Sequence, residues 1–131
     1  MKSINHLRIA VDGESASGKS YASKIIGKKY NCYILNSGLA YRYASYLIIK
    51  NKPKKIIPFL KKKIKKLNYK KLSKINLHSE KISSHVATLA TIQSVRNIIK
   101  TWQREIVLKN TRILVEGRDS ASVILKKNPK F

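Results

Sequence analysis

Residues Gly13-Glu14-Ser15-Ala16-Ser17-Gly18-Lys19-Ser20 spell a complete phosphate-binding loop of the form G-x-x-x-x-G-K-[ST]. The loop follows an apolar run, Leu7-Arg8-Ile9-Ala10-Val11, that reads as a buried strand. It precedes Tyr21-Ala22-Ser23-Lys24-Ile25-Ile26, which reads as the start of a helix. Strand, loop and helix in that order are the context this motif requires. Glycines let the backbone approach a polyphosphate without Cβ clashes, and successive N–H groups form an anion nest. The following helix adds its positive N-terminal dipole. Lys19 is then expected to reach the β- and γ-phosphates of a nucleotide, and the Ser20 hydroxyl to ligate Mg²⁺.

Working outward, a helix is expected over Lys19 to Lys29, a short strand at Tyr33-Ile34-Leu35, and turn chemistry at Asn36-Ser37-Gly38. Leu39 to about Lys50 reads as a second helix ended by Pro53. Ser83 to Ile92 reads as a further short helix. Ser94 to Lys109 is the most regular helix, with Val95, Ile98, Ile99, Trp102 and Ile106 on one apolar stripe. That stripe assigns Trp102 to the core, and places Arg96 and Gln103, seven residues apart, near one another on a different face. Arg112-Ile113-Leu114-Val115 is the third strand and runs into Glu116-Gly117-Arg118-Asp119. An apolar strand ending in an acid has the form of a Walker-B position.

Strands alternating with helices indicate an α/β fold, a parallel sheet of P-loop NTPase type with helices on both faces. Such sheets bind ligands outside the C-terminal ends of their strands. The phosphate loop, Asn36-Ser37-Gly38 with Arg42, and Glu116-Arg118-Asp119 all fall at that edge. Four of the six acids in the chain, Asp12, Glu14, Glu116 and Asp119, gather there. This favours a site that organises Mg²⁺ and substrate over a purely basic surface.

The bulk numbers fit one domain with a core: 131 residues, 43% hydrophobic. The charge is unusual, with 29 Lys and Arg against 6 Asp and Glu, a net +23. Attraction to polyanions follows from such a balance, although a general lysine bias of the source proteome accounts for it equally well. Lys50 to Lys74 holds twelve lysines and no acid, with Ile56, Ile57, Phe59, Leu60, Ile64 and Leu67 at roughly helical spacing. A basic amphipathic helix is the simplest reading. Its lysines are read as a solvated face in preference to a nucleic-acid or lipid surface. One cysteine, Cys32, excludes an intramolecular disulfide, and His6, His78 and His85 lack metal-ligand spacing. No signal-peptide core and no apolar run near 20 residues is present, so a soluble cytoplasmic protein without membrane association is the expectation.

Together these clusters resemble the bacterial cytidylate (CMP) kinases, within the nucleoside monophosphate kinases. The matching segments are Ile9 to Lys19, Ser37-Gly38-Leu39-Ala40-Tyr41-Arg42, Val95-Arg96 with Gln103-Arg104, and Glu116-Gly117-Arg118-Asp119, with Leu77 to Ser83 resembling the exit of the family's monophosphate-binding insert. The resemblance implies transfer of the γ-phosphoryl of ATP to CMP or dCMP with Mg²⁺, in pyrimidine nucleotide metabolism, by a monomer. It implies that residues 13–20 hold ATP, with Lys19, Arg118 and Asp119 catalytic. It assigns Ser37, Gly38, Tyr41, Arg42, Arg96, Arg118 and Asp119 to the acceptor, and Ser20 and Glu116 to the metal. One kinase domain over 1–131 is expected, with a core of about 1–50 and 84–131 and a short lysine-rich insert of about 51–83. Tyr21, His78 and Ala121 stand where the family usually has Thr, Arg and Gly. The resemblance covers the N-terminal part of the family only, so the sheet is expected to be incomplete at its C-terminal end. The polypeptide alone is expected to have little or no kinase activity. Two other readings stay open on the residues: a P-loop kinase for another small molecule, and a basic nucleic-acid-binding P-loop protein using Lys50 to Lys74.

Overall fold

The computed structural model describes residues 6–13 and 18–117. The chain divides into two compact units, residues 1–37 with 103–131, and residues 38–102. The expected insert lies within the second.

The first unit is built on β1 (Leu7–Asp12), α1 (Lys19–Lys29), β2 (Tyr33–Asn36) and β3 (Arg112–Gly117). Among the described residues the strand pairings are parallel and the order is β1-β3-β2, so β3 takes the centre. Burial explains that choice. Ile113, Leu114 and Val115 are fully buried on consecutive positions, which means both faces of β3 are covered. A near-continuous apolar run suits a central parallel strand, whereas β1 and most of β2 are only half-buried. The register sets Asp12 beside Gly117 and Asn36 beside Glu116. The C-terminal ends of the three strands therefore meet at one edge, as the sequence pattern requires.

Helix α1 packs on this sheet and ends where the sequence sets it. Lys28 and Lys29 sit in its last turn, where cations complement the helix dipole. Beyond it, Asn31 adopts φ 53°, and the Arg112 guanidinium donates to the Tyr30 carbonyl through Nε at 2.9 Å and through Nη2. Gly27, inside the helix, faces β2: a Cβ there would stand 2.6 Å from Ile34 Cδ1 and 2.8 Å from Cγ1. Helix propensity alone favours Gly27→Ala by about 1 kcal/mol. Displacing Ile34 costs about 1–3 kcal/mol, as overpacking does. The expected result is a loss of up to about 2 kcal/mol in a urea melt; a gain of the full propensity difference would show that Ile34 yields freely.

The second unit comprises most of α2 (Ser37–Asn51), then α3 (Ile56–Lys65), a 3₁₀ helix (Tyr69–Lys74), α4 (Glu80–Leu89) and most of α5 (Gln93–Lys109). Leu72, Leu77 and Ile82 form a buried cluster against which Tyr43, Tyr46, Ile49, Tyr69 and Val86 pack. The Trp102 ring lies 6.1 Å from that of Tyr69 and is 6% exposed, a core residue as its stripe predicts. His85 Nδ1 lies 3.0 Å from the buried Ser45 Oγ.

Three boundaries differ from the sequence expectation. No turn separates β2 from α2: the strand runs through Asn36 and the helix begins at Ser37. Helix α4 starts and ends three residues earlier than Ser83–Ile92, because Ser79 is its N-cap and accepts from the Ile82 N–H at 3.2 Å. The lysine-rich segment is two elements. Helix α3 stops at Lys65, and the Asn68 side chain then accepts from the Lys70 N–H at 3.1 Å and caps the 3₁₀ turn.

Candidate functional site

Among the described residues, the buried carboxylate at the edge where the strands end is that of Glu116. Glu116, the penultimate residue of β3, is 4% exposed, and a buried charge needs hydrogen-bonding partners. It has them from two distant parts of the sequence. Ser20 Oγ, in the first turn of α1, donates to Glu116 Oε1 at 2.6 Å. Asn36 Nδ2, at the end of β2, donates to Oε2 at 3.3 Å. A third position, Ser37 Oγ, donates to the Glu116 carbonyl at 3.0 Å. That bond explains why a serine read as turn chemistry opens a helix instead: its partner is 79 residues away, invisible to local pattern.

The loop side of the edge is set by two backbone features. Gly13 N donates to Gly117 O at 3.0 Å, tying the loop's first residue to the end of β3. Gly18 has φ 81°, with nothing within 4 Å of a Cβ placed there. Only glycine takes that left-handed conformation readily, and it turns the chain directly into α1 at Lys19. Glu14, Ser15, Ala16 and Ser17 lie outside the described residues, as do Arg118 and Asp119.

Of the predicted acceptor residues, Ser37 belongs to this unit, with Ser20, Lys19 and Glu116. Gly38, Tyr41, Arg42 and Arg96 belong to the second unit. There Arg42 Nη1 donates to the Leu77 carbonyl at 3.0 Å and to Ser83 Oγ at 2.9 Å. Its guanidinium is thus oriented by Leu77 and by Ser83 of α4. Arg96 is exposed in the first turn of α5. Gln103, seven residues along the same helix, is only 1% exposed. Its Nε2 reaches the Ser37 carbonyl at 3.4 Å, while Oε1 is buried without a hydrogen-bond partner among the described residues. The sequence pattern places Asn36 at this edge, but neither its bond to Glu116 nor the bond of Gln103 to the Ser37 carbonyl is legible in it. In each, the informative contact is 66 or more residues distant in sequence.

Among the described residues no group of three His, Cys, Asp or Glu could hold a metal ion by itself. Mg²⁺ does not need one, because it binds through one or two carboxylates together with substrate phosphates. The Ser20 hydroxyl and the Glu116 carboxylate are hard oxygen donors in contact, a donor set that fits that ion. No described helix is long and apolar enough to cross a membrane.

A parallel sheet whose central strand ends in a carboxylate bonded to the serine of a G-K-S helix start defines a P-loop nucleotide-binding protein. More narrowly, the chain belongs to the cytidylate kinase family, whose sequence model matches residues 9–130. It is 33% identical over 135 residues to the cytidylate kinase of Aquifex aeolicus, covering 94% of this chain and 60% of that protein. To the cytidylate kinase of Clostridioides difficile it is 30% identical, with 92% and 61% covered. To a bifunctional pantoate ligase/cytidylate kinase of Prochlorococcus marinus it is 34% identical, with 88% and 26% covered. The chain spans about three-fifths of the length of the single-function relatives it matches.

Proposed function

We propose that this chain serves the ATP-dependent phosphorylation of CMP or dCMP. The observation that carries the reading is the 2.6 Å bond from Ser20 to Glu116, which joins the helix start of the phosphate loop to the acid at the end of the central strand. In this reading the loop amides and Lys19 hold the β- and γ-phosphates of ATP. Ser20 and Glu116 hold Mg²⁺, which when bound neutralises charge on the phosphate oxygens. Ser37 and the fork of Arg42 orient the acceptor phosphate, helped by Gly38, Tyr41, Arg96 and Arg118, with Asp119 on the sugar. A planar guanidinium suits phosphate oxygens because its donors are fixed in a fork.

The reaction forms a bond from an acceptor phosphate oxygen to the γ-phosphorus and breaks the bond from that phosphorus to the β–γ bridging oxygen, leaving ADP. The attacking oxygen is already ionised, so no general base is required. Positioning and charge neutralisation are the protein's contribution. Arg42 is suited to positioning, since Leu77 O and Ser83 Oγ already fix its fork.

The test separates donor from acceptor by equilibrium binding. A charge-assisted hydrogen bond contributes about 1.5–3 kcal/mol, or roughly 10- to 150-fold in affinity. Lys19→Ala is expected to weaken a fluorescent ATP analogue by that factor. Arg42→Ala is expected to weaken CMP by that factor while leaving the ATP analogue within about threefold, and Arg42→Lys restores charge without the fork. ATP binding indifferent to Lys19→Ala, or UMP or dTMP binding more tightly than CMP, would refute the proposal.

A further inference from the structure

The distribution of charge between the two units is not explained by nucleotide binding. Residues 38–102 hold sixteen Lys and Arg against a single acid, Glu80, so this unit carries +15 of the chain's +23. All twelve lysines between Lys50 and Lys74 are exposed. On α3, at about 100° per residue, Lys61, Lys62, Lys63, Lys65 and the C-cap Lys66 cover an arc of roughly 200°. Leu60 and Ile64 fill the opposite side and are buried. The lysines are therefore a continuous face and not a scatter. Lys61 with Lys65, and Lys62 with Lys66, are like-charged neighbours one turn apart, an arrangement that repels in the absence of an anion.

The chemistry around this face selects among polyanions. A membrane-surface helix offers an apolar side to the headgroup boundary. Here that side is turned into the protein, and none of the large exposed hydrophobic residues falls between Lys50 and Lys74. Single-stranded nucleic acid is held by stacking on exposed aromatic rings. The two aromatic residues of the segment are engaged instead: Phe59 is half-buried with Lys63 Nζ 5.9 Å from its ring centre, and Tyr69 packs on Trp102. Lysine supplies compact point charges and no planar fork for base edges. What remains is a surface matched to a row of phosphates. Double-stranded nucleic acid presents one charge per about 1.7 Å of axis, and α3 is about 15 Å long.

We propose that the lysine face of α3, with the flanking lysines of the second unit, binds the phosphate backbone of double-stranded nucleic acid without sequence preference. The site is separate from the phosphate loop and does not depend on the kinase reading.

Binding of the full chain to a fluorescein-labelled duplex of roughly 20 base pairs, read by anisotropy, tests this. With four or five phosphates neutralised, affinity is expected to fall about 100- to 500-fold between about 50 and 200 mM salt. Replacing Lys61, Lys62, Lys65 and Lys66 by glutamine, which has a similar helix propensity, is expected to weaken binding at the lower salt at least about tenfold and to make the salt dependence shallower. The smaller variant K62Q/K66Q should show the same direction if the fourfold variant fails to fold. The control removes the same charge from the first unit, K24Q/K28Q/K29Q/K109Q, and is expected to change affinity less than about threefold. A control variant that loses as much as the α3 variant would reduce the effect to net charge and overturn the proposal. So would undetectable duplex binding, or binding of the chain to phosphatidylserine vesicles but not to the duplex.

Discussion

Leu114→Ala is expected to destabilise the protein by about 3–5 kcal/mol. Leu114 is fully buried on the central strand. Its backbone is registered to Ile9 on one side and Ile34 on the other. Its flanking residues, Ile113 and Val115, are also fully buried, so both faces of the strand are packed. The cost of a core truncation grows with the cavity left behind, and that cavity persists where the surroundings cannot relax. A strand hydrogen-bonded on both sides has little freedom to close the gap. Ile9→Ala on β1 is the matched comparison: Ile9 is half-buried, and the expected loss is about 1–2 kcal/mol because less apolar area leaves the core. With total stabilities of about 5–15 kcal/mol for proteins of this kind, the first substitution removes a large fraction and the second does not. Urea denaturation followed by circular dichroism measures both. A Leu114→Ala loss below about 1 kcal/mol would contradict the central position of β3.

The same strand shows what the sequence could disclose. The run Ile113-Leu114-Val115 announces a buried strand by composition, and Glu116 at its end announces chemistry by contrast with that run. The phosphate loop announces itself by motif, and α1 keeps the boundaries that motif and lysine content imply. What local pattern does not carry is order and cross-strand contact. Nothing near residue 112 says that β3 lies between β1 and β2, because the parallel register depends on residues about 100 and 80 positions earlier. Ser37 reads as a turn residue since serine favours turns, yet its hydroxyl bonds to β3 and the helix begins there. Gln103 lies off the apolar stripe by periodicity, yet it is buried beside the Ser37 carbonyl. The start of α4 was legible in principle from Ser79 followed by Glu80, a cap signal, but the apolar spacing over Ser83 to Ile92 pointed three residues later. The break in the lysine-rich segment rests on one side chain, Asn68, whose capping bond costs nothing in composition and leaves no periodic trace.

Glu116→Gln is expected to separate stability from ligand binding. The substitution keeps the shape of the side chain and both hydrogen bonds. The amide oxygen can accept from Asn36 Nδ2, and the amide nitrogen can donate to the Ser20 hydroxyl, which accepts as readily as it donates. Thermal or urea unfolding should therefore change by no more than about 1 kcal/mol, since a buried charge is removed while its neighbours stay satisfied. Metal-supported nucleotide binding should respond far more. Mutating even an outer partner of a metal ligand typically costs about 10- to 100-fold, and Glu116 is proposed as a direct ligand. Binding of a fluorescent ATP analogue with and without Mg²⁺ is expected to lose about 100-fold or more of its Mg²⁺ enhancement, with metal-free binding changed little. Glu116→Leu is the contrasting variant. It removes the shared acceptor of the Ser20 hydroxyl and the Asn36 amide, and losing hydrogen bonds to a buried charged group costs about 1–3 kcal/mol. That variant should therefore lose both properties together. If Glu116→Gln leaves the Mg²⁺ enhancement intact, the carboxylate is a structural anchor between α1, β2 and β3, and its bond to Ser20 does not mark a metal position. If it abolishes the enhancement at unchanged stability, the acid is held at the end of β3 for its charge, because neutral packing alone would have been served as well by glutamine.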